Sequence, residues 1–409
     1  MAAGSEFRRN WRVLAGAFLG IGSALSLNSF ILSTFAPYFL QTFGWTRAEW
    51  TWLSVVQMLV MIAMPIAGRL ADRFGVWRTA AVGALSFPLF LVAIAFMDGS
   101  VTTYYWIYVA QTIVCATTTS TVYTRVIAQA FSRNPGLAMG LAGAGAPLIG
   151  ALGAPLVSAF VRANGFRAGY LAVAAFCAVS ALVTLWLLRD AGKAPDERAR
   201  AGQGRADYAA ILRMKLFWVL LLATFLVNMP FSLATTQIKL VVTEQGLPDT
   251  SAALMVSALG LASVAGRFLF GFAVDRLPPS RVAAFGFALP VFGLLLLASP
   301  LDSFGAVLVA IVLIGLAFGS EADVIPVLVT RHFGIRRFGT VLGLLTAAMA
   351  AGMSTGTVVL ALVQGATGSF VAHLLITAVA ALLGSMLFLL LGSKRFEVQT
   401  AHRLHAPPQ

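Results

Sequence analysis

The stretch Gly68-Arg69-Leu70-Ala71-Asp72-Arg73 closes one apolar run of the chain, and 203 residues later Gly271-Phe272-Ala273-Val274-Asp275-Arg276 closes another. The same offset carries Gly136 onto Gly339 and Gly140 onto Gly343, where two further apolar runs begin. Self-similarity at a fixed offset marks a duplicated architecture. Landmarks in register at the ends of apolar runs predict two parallel repeats about an axis along the membrane normal, an arrangement in which a substrate site lies where the repeats meet.

Composition sets the scale of those repeats. Of 409 residues 59% are hydrophobic and 11% charged, whereas a soluble domain carries about a quarter charged residues. An ordinary water-soluble enzyme is excluded. At about 20 apolar residues per membrane-spanning helix, the apolar content supplies about twelve spans. Runs bounded by charge or Gly/Pro clusters fall at 11–40, 47–68, 79–98, 103–131, 136–161, 167–188, 215–243, 250–272, 281–299, 303–331, 338–364 and 369–392. They are read as helices, because backbone groups in lipid must be satisfied internally. The fold class is therefore an all-α polytopic membrane protein of twelve transmembrane helices in two pseudo-symmetric six-helix bundles. The expected organisation is an N-terminal bundle over 1–188, a cytoplasmic linker over 189–214, a C-terminal bundle over 215–392 and a cytoplasmic tail over 393–409.

Lys and Arg concentrate on the side holding both termini, the 68–78, 132–135, 273–281 and 332–337 loops and the linker. By the positive-inside rule that side is cytoplasmic. The net charge of +13 thus marks orientation, and the expectation is an integral inner (plasma) membrane protein of a prokaryote with both termini inside. Arg8, Arg9 and Arg12 lead into a run too long for the hydrophobic region of a signal peptide. Gly4-Ser5-Glu6-Phe7 is assigned no role. Cys115 and Cys177 sit in apolar stretches without a CxxC spacing and read as small core residues. No segment couples basic residues to aromatic platforms, so no nucleic acid is expected. There is no phosphate-binding loop, HExxH or GxSxG motif; no enzymatic activity, catalytic residue, metal or cofactor is expected.

The segment from Gly68 to Arg78, its echo at Gly271–Arg276 and the six-plus-six arrangement resemble the major facilitator superfamily over essentially the whole chain. Within it, Phe43-Gly-Trp-Thr-Arg-Ala-Glu49, the stretch from Phe131 to Gly140 and Arg267 in span eight look like the monocarboxylate transporters and the related oxalate:formate antiporters. The resemblance implies alternating access and an organic anion as substrate. It also assigns gating to Asp72, Arg73, Asp275 and Arg276, since such acidic residues bond neighbouring helix ends; the other reading is a plain helix-end turn. Two departures matter. Span eleven carries no Lys or Arg after Phe338, so a dicarboxylate would be under-neutralised and a monocarboxylate fits better. Ser263 stands where animal-type monocarboxylate transporters carry an acidic residue one turn before the Arg, and span one lacks their Lys.

The charged residues inside spans are few. Arg267 lies eight positions before Asp275, about 12 Å along span eight from its basic end. A guanidinium there must face a cavity or a partner, and its planar fork matches a carboxylate with two hydrogen bonds. Arg267 is the candidate anchor of an anionic substrate; the competing reading is a permanent ion pair with Glu321 or Asp323 at similar depth. Those two carboxyl groups, about 200° apart on a helix, are the candidates for proton coupling, against a structural bond to a loop Arg. Arg125 is placed to pair with Asp72 or to snorkel. Asn28, Gln57, Gln111, Tyr123 and Asn228 are polar groups within spans, able to contact substrate or to join helices; Asn228-Met229-Pro230 marks a break in span seven. The function expected is secondary active transport of a small organic anion, a monocarboxylate, by proton-coupled symport or anion exchange, working as a monomer in the bilayer. The alternative is a proton-driven exporter of drugs or other amphiphilic compounds.

Overall fold

The structure is a computed structural model that describes residues 2–28, 35, 38–39, 42–45, 60–191, 210–232, 249–301, 303–367 and 369–391. The described residues form thirteen α-helices and no strand: α1 Ala2–Gly22, α2 Val60–Phe74, α3 Val76–Ala95, α4 Val101–Cys115, α5 Ser120–Ala130, α6 Pro135–Gly143, α7 Gly145–Leu188, α8 Lys215–Asn228, α9 Asp249–Val274, α10 Pro279–Ala298, α11 Phe304–Phe333, α12 Phe338–Thr367 and α13 Val371–Leu391. Seven helical stretches among the described residues are long and apolar enough to cross a membrane, one of them running over Pro135–Leu188. That stretch contains two expected spans. Gly165, at φ 82° and ψ 166°, breaks α7 between them, a left-handed conformation that favours a residue without a side chain.

Two local outcomes differ from expectation. Span four is broken after Cys115 by a 3₁₀ turn over Ala116–Thr118. The hydroxyls of Thr117, Thr118 and Thr119 donate to the carbonyls of Val114, Cys115 and Ala116 at 2.8, 2.6 and 2.7 Å. Such local bonds offer the backbone an alternative to the helical ladder. The first helix begins well before the expected 11, and Glu6 in it accepts from the backbone N–H groups of Ser132 and Arg133 at 2.8 and 3.2 Å; the stretch assigned no role ties α1 to the turn between α5 and α6. Span seven, by contrast, breaks where expected, with α8 ending at Asn228 and a turn at Met229-Pro230.

The chain divides into two compact units that cut across its order: the first holds 1–133, 141–203 and 335–343, the second 134–140, 204–334 and 344–409. The first unit has an aromatic core in which Phe39 meets Trp45, Tyr104, Phe166 and Tyr170. The second has an aliphatic core around Leu294, Ile311, Ile314 and Leu374. Large apolar side chains such as Leu152, Leu261 and Phe285 are exposed by more than two thirds. Single exposed apolar residues are ordinary on soluble proteins, but rows of them along many helices suit a lipid surround.

Inside the second unit, α9 and α11 touch backbone to backbone. A Cβ on Gly266 would strike the Leu316 carbonyl, and one on Gly319 would strike the Ser263 carbonyl and come close to the Arg267 nitrogen. Small residues permit this approach in membranes, and it brings Arg267 beside α11. A Gly319→Val substitution is expected to cost about 1–3 kcal/mol through overpacking, read as a lowered melting temperature of the detergent-purified protein; an unchanged melting temperature would contradict the close packing.

Candidate functional site

In the second unit the approach of α9 to α11 pairs charges. Arg267 Nη1 lies 3.8 Å from Asp323 Oδ1, with the arginine side chain 18% exposed and the aspartate 1%. This is an ion pair without a hydrogen bond, and both Asp323 oxygens lack a hydrogen-bond donor among the described residues. Glu321, also buried, lies beside Asn228 and within the electrostatic reach of Arg267, its Oε1 without a donor. The Asn228 amide donates to the Thr224 carbonyl at 2.8 Å, leaving its own oxygen unpartnered. Four of the sequence-derived candidates, Arg267, Asp323, Glu321 and Asn228, thus come together within one unit. The carboxylate that Ser263 does not supply from the arginine's own helix comes instead from α11.

An open pair of this kind can do chemistry that a closed one cannot. The guanidinium keeps donors for a second carboxylate, and a carboxylate with free oxygens can take up a proton.

The first unit collects the other polar candidates. Asn28 donates through Nδ2 to Gln111 Oε1 at 2.8 Å, both buried, so Asn28 is tied to α4. The Tyr123 ring lies against Gly20, and its hydroxyl, fully buried, has no partner among the described residues. Gln57 lies outside the described residues.

At the helix ends, the Asp72 carboxylate accepts from the backbone N–H groups of Gly339 and Thr340 at 3.0 and 2.6 Å and from the Thr340 hydroxyl at 2.7 Å, and it pairs with Arg125, which is 2% exposed. All four residues belong to the first unit. Within the second unit, Asp275 accepts from the N–H groups of Gly136 and Leu137 at 2.7 and 3.0 Å. Each member of the first set of amides stands 203 residues beyond its counterpart in the second. Both carboxylates satisfy orphan donors at a helix start, where the helix dipole also favours negative charge. Their neighbours behave differently: Arg73 lies 5.2 Å from the Phe74 ring centre and Arg276 3.4 Å from that of Phe272. Thr340 was missed by sequence reasoning, although the 203-residue register pointed at its position.

The Major Facilitator Superfamily profile matches residues 17–357. Monocarboxylate transporter 4 of Mus musculus is 24% identical over 97% of this chain and 89% of its own length. The MFS transporter asaE of Aspergillus flavus is 26% identical over 83% of this chain and 76% of its own. The crystal structure of a Major Facilitator Superfamily transporter, FucP, in the outward conformation superposes with a TM-score of 0.76 at 17% identity, covering 95% of this chain and 100% of that one.

Removing Asp72 leaves Arg125 buried and unpaired, a loss of about 3–5 kcal/mol, whereas the two amide bonds to Asp275 are worth about 0.5–2 kcal/mol as a helix cap. Asp72→Ala should therefore lower the melting temperature more than Asp275→Ala; the reverse order would contradict the assignment.

Proposed function

We propose that this chain, which belongs to the Major Facilitator Superfamily and is an integral membrane transporter, carries a small organic anion, a monocarboxylate, by alternating access with proton coupling or anion exchange. The observation that carries the reading is the open ion pair between Arg267 and Asp323. A substrate carboxylate takes the fork of Arg267, which sets three carboxylates, its own and those of Asp323 and Glu321, against one cation. Protonation of Asp323 or Glu321 relieves that excess, so that anion and proton enter together. In exchange mode a second anion replaces the first and the proton stays. Monocarboxylate transporters among the relatives support the substrate class.

Asn228, whose buried oxygen has no partner among the described residues, supplies a hydrogen bond to the substrate. Asp72 and Asp275 act as gates: releasing the helix starts they hold allows the conformational step, with Arg73 and Arg276 alongside. The protein works as a monomer in the plasma membrane, with both termini, the 189–214 linker and the 393–409 tail on the cytoplasmic side.

A second reading is a proton-driven exporter of drugs or other amphiphilic compounds. It is favoured by one observation: the cluster holds two acidic groups against one basic, a balance that suits a cationic ligand.

A thermal-shift screen of purified protein against small carboxylates and lipophilic cations separates the two. Stabilisation by carboxylates should weaken about tenfold to a hundredfold in concentration dependence in Arg267→Ala, the worth of one or two charged hydrogen bonds; stabilisation by cations alone would sink the anion reading. Uptake into proteoliposomes should lose its dependence on a proton gradient in the Glu321→Gln/Asp323→Asn double variant. Full retention of that dependence would remove both residues from coupling.

A further inference from the structure

A cavity of about 350 Å³ opens in the first unit at the end that carries the N-terminus. It is lined by Arg9, Asn10 and Arg12 of α1, Gln129 of α5 and Leu187 of α7, with Asp190 just beyond. None of these belongs to the Arg267 cluster. Val126 and Leu187 form a buried apolar floor, while Arg9, Arg12, Gln129 and Asp190 make an exposed polar rim. Asn10 leaves helical geometry at φ −106°, ψ 17°, and its Nδ2 donates to the Ala130 carbonyl at 2.7 Å. That bond pins the kink in α1 to the end of α5, with Arg9 and Arg12 on either side of the anchor.

The charges on the rim do not cancel. Asp190 Oδ2 lies 3.2 Å from Arg189 Nε and is matched there, and neither Arg9 nor Arg12 meets a carboxylate among the described residues. The Arg12 guanidinium instead sits 5.2 Å from the Trp186 ring centre and 6.0 Å from that of Trp11. Stacking on a ring face leaves the edge donors of a guanidinium open. Both tryptophans are more than half exposed, and exposed indoles favour the headgroup layer of a bilayer. An apolar floor, two unopposed guanidinium groups and a side-chain amide therefore line one cavity, with two exposed indoles against one of its arginines.

The geometry points to a binding site for the phosphate of an anionic phospholipid in the leaflet on the N-terminal side. Arg9 and Arg12 hold the phosphodiester oxygens, Gln129 adds an amide donor, and the glycerol region covers Val126 and Leu187. A free phosphate matches the two arginines but leaves the floor and the indoles uncovered, so the lipid is the better source of the same chemistry. A bound lipid joins α1, α5 and α7.

The test is native mass spectrometry of delipidated full-length protein titrated with phosphatidylglycerol or with phosphatidylcholine of the same acyl chains. Phosphatidylglycerol should be retained preferentially, and its apparent affinity should fall about tenfold or more in Arg9→Gln/Arg12→Gln, the worth of two basic residues at a lipid surface. Arg9→Lys/Arg12→Lys, which keeps both charges, should retain most of the binding. Equal retention of the two lipids by the unaltered protein, or undiminished phosphatidylglycerol binding in the Gln variant, overturns the site. Millimolar inorganic phosphate that displaces the lipid completely and binds alone overturns the lipid as its source. Fluorescence quenching covers a Gln variant that does not fold: brominated phosphatidylglycerol should quench the unaltered protein more than brominated phosphatidylcholine, and Trp11→Phe/Trp186→Phe should abolish the difference. A difference that survives those substitutions places the lipid elsewhere.

Discussion

The carboxylate of Asp72 holds three segments of chain at once: its own helix end on α2, the buried Arg125 of α5 and the first amides of α12. In hydrocarbon no water is at hand to accept a charge or an amide left over, so each group must find its partner within the protein. One carboxylate with several lone pairs can settle a guanidinium and two orphan N–H groups together. Asp275 repeats the arrangement in the second unit with the amides of Gly136 and Leu137. The duplicated motif is thus a duplicated solution to one solvation problem.

The same constraint shapes the Arg267 cluster with the opposite outcome. There the partners meet at 3.8 Å and several carboxylate oxygens have no donor among the described residues. Asp72 is saturated, which suits a holding role; Asp323 is not, which suits a group that changes partner. The backbone contacts at Gly266 and Gly319 set this difference, because they fix how closely α9 and α11 approach and so how near the arginine comes to a carboxylate it does not share a helix with. Membership of a transporter family also places the chain among carriers rather than enzymes.

Much of this was legible in the residues. Composition and run lengths lead to an all-helical membrane protein, and most runs became helices within a few residues of their expected ends, as with 303–331 and Phe304–Phe333. The scarcity of charges inside spans singled out Arg267, Glu321 and Asp323 before any geometry. The break in span four was not foreseen, since hydrophobicity carries no trace of hydroxyls bonding back to the carbonyls three residues earlier; the signal lay in the run Thr117-Thr118-Thr119-Ser120. Glu6 was overlooked because its partners are more than a hundred residues away.

What the sequence alone determined is what depends on local composition and period: the helices, the duplicated motif and the short set of charges inside apolar runs. What only the tertiary structure decided is which of those charges meet. Two residues on one helix are about 200° apart whatever the fold, but whether Arg267 faces Asp323 depends on the packing of another helix against its own. Asn28 likewise meets Gln111 because a buried amide takes the donor or acceptor that packing brings within reach, and distances between segments remote in sequence are set by that packing alone.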